Sequence, residues 1–336
     1  MDADDRGRHY LDEDDVRVRP QRNGTRPRSK RRPTHDEASS GQVLTVDRGR
    51  YRVLVDGAEL VAMRARELGR KGIVVGDRVD VVGDRTGSAD SLARIVRRLP
   101  RTSVLRRTAD DTDDTERVIV ANADQLVIVV ALADPPPRLG FIDRCVVAAL
   151  TENIEPVLCL TKSDLASADA VLANYAELDV PHVITHRDGD LSELLARLHD
   201  QVSVFVGHSG VGKSTLINAL VPDAMRSTGE VSAIGKGRHT STSTLALPLP
   251  SGGWVVDTPG VRSFGLAHVS AADLLWAFPD LEDAANQCPP GCEHLSAEAG
   301  CTLDAAVAAG ASTPLRLAAY RRLLVSRGPE DHGSYA

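Results

Sequence analysis

Aromatic side chains are scarce, with Phe, Trp and Tyr making up 3% of the 336 residues. Tyr51 is the one aromatic between Gln42 and Arg98, which excludes an extended base-stacking platform there and leaves backbone or shape recognition for any nucleic acid it meets. Long apolar runs are missing too. None approaches the ~20 residues that span a bilayer, and the charged N-terminus lacks an apolar segment followed by a cleavage site. No membrane association is expected, and the cytoplasm is the expected compartment. Cysteine is sparse and uneven: of five, three crowd between residues 288 and 301, which fits a reducing compartment and a metal site rather than a disulfide framework. Cys145 and Cys159 lie in apolar surroundings and are expected in the core.

What is present is charge, unevenly spread around a formal total of −7. Val16 to Thr34 carries eight Arg or Lys and no acid, and Gly41 to Arg107 carries fifteen basic against eight acidic residues. A mildly acidic chain with a basic front end can present that end to a phosphate backbone. Residues 1–40 alternate acidic and basic blocks with almost nothing apolar to bury, and a disordered tail is expected.

Between Gln42 and Arg98 short alternating runs, including 42–46, 51–55 and 78–82, are separated by Gly and Asp turns. They predict an all-β, OB-like barrel over 41–107. From about Thr108 the rhythm changes to strands apolar on both faces, at 125–130, 157–160, 202–206 and 254–256, alternating with helical stretches. That pattern predicts a doubly wound α/β domain over 108–270 with a mostly parallel sheet. The last part, 271–336, reads as helical and Cys-rich, ending in a helix whose apolar stripe is Leu315, Ala318, Ala319, Leu323 and Leu324.

Gly207-His208-Ser209-Gly210-Val211-Gly212-Lys213-Ser214 follows one such strand and precedes a helix that begins at Thr215. Glycines let backbone N–H groups face phosphates, and the helix N-terminus adds its positive end. Lys213 is expected on the β- and γ-phosphates and Ser214 on Mg²⁺. Asp257-Thr258-Pro259-Gly260 follows the strand at Trp254; Asp257 is expected to link to Mg²⁺ and the Gly260 N–H to approach the γ-phosphate. Between them the polar stretch 235–242 predicts a switch, with Thr240 as its Mg²⁺-linked threonine and Thr242 second.

Thr161-Lys162-Ser163-Asp164 follows a buried strand earlier in the chain. The Asp164 carboxylate can accept from guanine N1–H and the exocyclic amine, the Lys162 stem can lie along the base, and guanine is therefore preferred. Asn is usual at the first position; a threonine supplies one hydroxyl rather than an amide's donor and acceptor, so weaker affinity or tethering is expected. The segment 183–186 is a candidate for the backbone contact behind the base. Where a water-orienting glutamine would follow Gly260 stands Val261, which predicts slow intrinsic hydrolysis unless His239 or a partner contributes.

Cys288, Cys292, His294 and Cys301 complete the pattern. Three thiolates and an imidazole match a closed tetrahedral Zn²⁺ site, one per chain, with no open position for chemistry.

Base reader, phosphate loop, switch and Asp-Thr-Pro-Gly in that order, after an OB-like unit and before a Cys-Cys-His-Cys knuckle, resemble the circularly permuted small-ribosomal-subunit biogenesis GTPases, the RsgA family. The resemblance covers roughly 41–325. It implies hydrolysis of GTP to GDP stimulated by the small (30S) ribosomal subunit and its rRNA, release from the matured particle, one zinc, and a part for His239 in hydrolysis. A monomer is expected. Departures are Thr161 for Asn, Ser241 where a second Thr is common, and altered knuckle spacing. Two other classes fit the phosphate loop alone: an ATP-using phosphoryl-transfer enzyme, which GTP against ATP competition separates, and a nucleotide-gated RNA-binding module, which growth of a Lys213→Ala strain separates.

Overall fold

The computed structural model describes residues 35–68, 72–84, 92–110, 113–222, 244–258, 264, 266, 269–297 and 300–327. The expected tail lies outside these up to residue 34, as do His239, Thr240, Thr242, Gly260 and Val261.

The first five strands are β1 (Ser39–Asp47), β2 (Arg50–Val55), β3 (Ala58–Arg64), β4 (Arg78–Val82) and β5 (Ala93–Arg98). Alternation sets their faces: in β2, Tyr51, Val53 and Val55 point inward while Arg50, Arg52 and Leu54 do not. The order β1-β2-β3-β5-β4 closes through a second pairing of β1 with β4, and β3 runs parallel to β5. The result is a closed barrel around Val43, Val53, Leu60, Val79 and Ile95.

Two strands that alternation did not announce, β6 (Val104–Asp110) and β7 (Asp113–Ala121), form a separate hairpin. It spans the position where the sequence rhythm changes. The barrel is fastened to it at one crowded point: Gly76 has φ +88°, and a Cβ there would sit 2.0 Å from the Ala121 carbonyl oxygen. The Ala121 N–H donates to Val75 O at 3.0 Å, and the Asn122 amide donates to Gly76 O at 2.9 Å. Fully buried Asp77 accepts two bonds from Arg101, at 2.8 and 2.9 Å. A buried carboxylate is tolerable only when its lone pairs are met in this way.

The central sheet contains β8 (Gln125–Ala131), β9 (Glu155–Thr161), β10 (His182–Ile184), β11 (Val202–Val206), β12 (Leu245–Pro248) and β13 (Trp254–Asp257). Its order is β10-β9-β8-β11-β13-β12. All pairs are parallel except β12 with β13, and β12 meets barrel strand β1 at Leu245 and Thr45. Every residue of β8 is buried, as a strand covered on both faces demands. Around the sheet lie α1 (Leu139–Thr151), α2 (Asp169–Leu172), α3 (Ser192–Leu198) and α4 (Lys213–Leu220). Cys145 and Cys159 are both inside, and burial pushes the Cys159 thiol up to about 12, which keeps it an inert core residue.

Four terminal helices follow: α5 (Ala271–Leu275), α6 (Pro279–Ala285), α7 (Thr302–Ala308) and α8 (Pro314–Ser326). Capping defines two of them. Ser270 and Asp273 form a reciprocal capping box on α5, and Thr313 caps α8 ahead of Pro314. Helix α8 departs from the expected stripe: Leu315 and Ala318 are exposed, and the inward face is Leu317, Ala319, Tyr320, Leu323 and Leu324. Tyr320 sets that phase. Its ring meets Phe278 edge-on at 5.0 Å, and its hydroxyl donates to Ala271 O at 3.2 Å. These helices share one core with α1 and the sheet. None of the described helices is long and apolar enough to cross a membrane.

Candidate nucleotide and metal sites

Strands β8, β9, β11 and β13 run parallel, so their C-terminal ends, Ala131, Thr161, Val206 and Asp257, lie along one edge of the sheet. In open α/β sheets that edge is where ligands bind. The phosphate loop leaves β11 as Gly207-His208-Ser209 and turns through Gly210 (φ +85°) and Gly212 (φ +94°), left-handed conformations suited to glycine. Gly212 is the N-cap of α4 and has no side chain to satisfy the first helical N–H groups, which leaves them for an anion. Ser209, Ser214 and Thr215 are exposed, whereas Val211 is buried. His208 packs against the Phe141 ring with centroids 4.2 Å apart.

Lys213 heads α4 and forms an ion pair with Asp257 at the end of β13. Two side chains assigned from sequence to the same triphosphate thus meet. Thr258 turns the other way, its hydroxyl buried and donating to Phe205 O at 2.8 Å, which fixes the exit from β13.

The candidate base-reading loop starts at Thr161, whose buried hydroxyl lies 2.6 Å from Val211 O and 3.3 Å from Val130 O. With one hydrogen to give, it donates to the nearer. The threonine thus retains the donor half of an amide's role, here toward the phosphate loop. Lys162 has φ +59°, and its ammonium donates to Asp134 O. Ser163 N donates to Thr185 O at 3.2 Å, and Thr185 N donates to Leu160 O at 2.8 Å, so the candidate backbone segment behind the base lies directly beside this loop. Asp164 is exposed just beyond it. Asp134 was not singled out as a partner of this loop from sequence, because a backbone carbonyl leaves no compositional trace.

The catalytic candidates His239 and Thr240, and Gly260 of the Asp-Thr-Pro-Gly turn, lie outside the described residues. Among the described residues, Thr161 meets Val211 of the phosphate loop and Lys213 meets Asp257.

In the C-terminal part of the chain Cys288, Cys292, His294 and Cys301 gather their ligand atoms within 4.8 Å of one another. His294 Nδ1 lies 3.5, 3.6 and 3.8 Å from the three sulfurs in that order. The Sγ atoms of Cys288 and Cys301 are 3.9 Å apart. Burial would raise the Cys288 thiol, but hydrogen bonds from Thr302 and the neighbouring thiols bring it below its ordinary value. Burial pushes Cys301 up to about 11. Burial and then nearby Arg321 lower His294, favouring the neutral imidazole that a metal ligand must be. The cluster can hold a metal ion. Outer contacts orient it: Thr302 N donates to Cys288 Sγ at 3.4 Å, and Arg321 Nε donates to His294 O at 2.9 Å.

Known proteins are similar to this chain. A family model described as RsgA GTPase matches residues 98–267. The small ribosomal subunit biogenesis GTPase RsgA of Ectopseudomonas mendocina is 40% identical over 248 residues, 71% of each chain. Its namesake in Azotobacter vinelandii is 40% identical over 265 residues, 76% of this chain and 75% of that one. Among solved structures, YjeQ from Thermotoga maritima is 26% identical with a TM-score of 0.63, covering 86% of this chain and 98% of that one. YloQ, described as a circularly permuted GTPase, is 25% identical with a TM-score of 0.62, covering 88% and 96%.

Proposed function

The chain belongs to the RsgA GTPase family, and from that premise we propose that it hydrolyses GTP to GDP and phosphate during late maturation of the small ribosomal subunit. The subunit stimulates hydrolysis, and hydrolysis is coupled to release. One observation carries the nucleotide-binding part: the hydrogen bond from Thr161 to Val211 O, which joins a base-reading loop to a phosphate loop that follows it in the chain.

In this reading Asp164 accepts from guanine, with Lys162 and the Thr185 backbone beside the base. The loop from Gly207 to Gly212 supplies backbone donors, and Lys213 exchanges its ion pair with Asp257 for phosphate oxygens. Ser214, Asp257 and Thr240 are the residues for Mg²⁺, which when bound neutralises charge across the β- and γ-phosphates. His239, and not a glutamine, is the side chain proposed to help orient the attacking water. Catalysis of this kind is mostly positioning and charge stabilisation.

Zinc is the ion proposed for the knuckle. Zn–S bonds of about 2.3 Å and Zn–N bonds of about 2.0–2.1 Å give tetrahedral edges of about 3.8 Å between sulfurs and about 3.5–3.6 Å from sulfur to nitrogen. The distances of 3.9 Å and 3.5–3.8 Å in the cluster fit these edges. With four protein ligands the ion is structural.

We divide the chain into a tail (1–40), the barrel (41–107), the nucleotide domain (108–270) and the zinc-bearing helices (271–336). Barrel and knuckle contact rRNA, the protein acts as a monomer, and it works in the cytoplasm. The test is GTP turnover with and without purified small subunits. Turnover should rise with added subunits and vanish in Lys213→Ala; turnover indifferent to subunits would reject the proposal.

A further inference from the structure

Helix α1 carries Asp143 and Arg144 on its buried face, a charged pair amid Ile142, Cys145, Val146 and Val147. Neither has a role in the nucleotide site. Asp143 accepts from Tyr175 OH at 2.9 Å and from Arg322 Nε at 3.0 Å. The Arg144 guanidinium reaches two backbone carbonyls on separate parts of the chain: NH1 donates to Ser326 O at 2.7 Å, and NH2 to Phe264 O at 2.9 Å. Ser326 ends α8, so its carbonyl is among those a helix leaves without an internal partner. Phe264 lies just downstream of Asp257, and its side chain is 1% exposed.

An arginine 9% exposed is an expensive way to fill space. An apolar side chain would pack there with less desolvation; what the arginine adds is a rigid fork joining two carbonyls. Arg327 repeats the join, donating to Val269 O at 2.8 Å. Helix α8 then carries the link onward, because Arg321, beside Arg322, turns to the knuckle and donates to the carbonyl of metal-ligand candidate His294. Asp304 holds Arg321 in place with bonds of 2.9 and 2.6 Å. A helix displaces as a unit, since its backbone bonds are internal.

We propose that Arg144 is a positioning residue that couples the strand end bearing Asp257 to the metal knuckle, by tying the chain at Phe264 to helix α8. The inference rests on the nucleotide site proposed above and deepens it: a change at the γ-phosphate end is delivered to a second surface of the molecule.

Hydrogen exchange of the zinc-loaded full chain, with and without a non-hydrolysable GTP analogue, tests it. In the wild type the analogue should change exchange at 207–215, at 314–326 and at 288–301. Arg144→Met should keep the change at 207–215 and diminish the other two by about fivefold or more. Arg144→Lys should restore them only in part, because an ammonium lacks the fork. With the change at 207–215 present, an unresponsive α8 in the wild type, or a full response in Arg144→Met, overturns the coupling. No change at 207–215 in the wild type overturns the nucleotide site itself, and the coupling with it. Should Arg144→Met fail to fold, Arg321→Gln decides: it should respond at 314–326 but not at 288–301, and a retained response at 288–301 overturns the proposal.

Discussion

The Thr161 hydroxyl donates to the Val211 carbonyl at 2.6 Å and thereby joins two loops fifty residues apart in the chain. A base reader placed ahead of the phosphate loop serves one nucleotide only if the fold brings the two together. Parallel strands β9, β8 and β11 do so coarsely by ending on one edge, and this bond does so at the scale of single atoms.

Thr161→Val keeps the shape and removes the donor. A neutral hydrogen bond contributes about 0.5–1.5 kcal/mol, so GTP affinity should fall about two- to tenfold. Thr161→Ser should stay near wild type. The preference for guanine over adenine should be unchanged in both, measured by competition against a fluorescent GTP; a Val variant with full affinity would show that the bond is incidental.

Lys213 and Asp257 should separate binding from chemistry. Lys213→Ala removes charge-assisted bonds worth about 1.5–3 kcal/mol, and GTP affinity should drop about ten- to 150-fold. Asp257→Asn should bind GTP within a few-fold of wild type while losing magnesium-dependent turnover. Isothermal titration paired with single-turnover hydrolysis reads both, and equal losses in the two assays for Asp257→Asn would remove its assigned role.

Gly76→Ala should be among the most damaging small substitutions in the chain. It forces an alanine to φ +88° with its Cβ 2.0 Å from the Ala121 carbonyl oxygen. The left-handed conformation alone costs about 1–2 kcal/mol, and displacement of the joint adds to it. Thermal unfolding should show a clear drop in midpoint; an unchanged midpoint would mean that barrel and hairpin are not fastened there.

Removing the knuckle's metal should affect the terminal helices before the nucleotide loop. Cys301→Ser, or prolonged chelation, should lower zinc from one equivalent per chain and lower the unfolding midpoint. GTP affinity should remain within about threefold, because the phosphate loop has its own core around Val211, Leu216 and Ile217. Zinc by elemental analysis together with GTP titration checks this, and full zinc occupancy in Cys301→Ser would dismiss the assigned ligand set.

Legibility in the sequence followed the source of each constraint. The phosphate-loop pattern, a carboxylate at the end of β13 and the Cys-Cys-His-Cys cluster are readable because such chemistry fixes residue types at short spacing. The barrel is readable because alternation at Tyr51, Val53 and Val55 reports burial directly. The β6–β7 hairpin escaped notice because Arg106 and Arg107 interrupt its apolar pattern. The stripe of α8 was misphased because Leu315 counted as inward, whereas the packing of Tyr320 rotates the helix away from it. Asp143 and Arg144 had a signal that went unused, a charged pair flanked on both sides by apolar residues within a helix. The Thr161 tether was out of reach, since a sequence shows the hydroxyl but not the carbonyl that receives it.

The most direct test of a single guanine nucleotide shared by Asp164 and Lys213 is a base-specificity swap. An amide at position 164 donates where the carboxylate accepted, so Asp164→Asn should lose GTP and gain XTP while still requiring Lys213 for either. Equilibrium binding of both triphosphates to Asp164→Asn, alone and combined with Lys213→Ala, makes the measurement. Preference for XTP that disappears with Lys213 is the expected result; undiminished preference for GTP in Asp164→Asn would contradict the account.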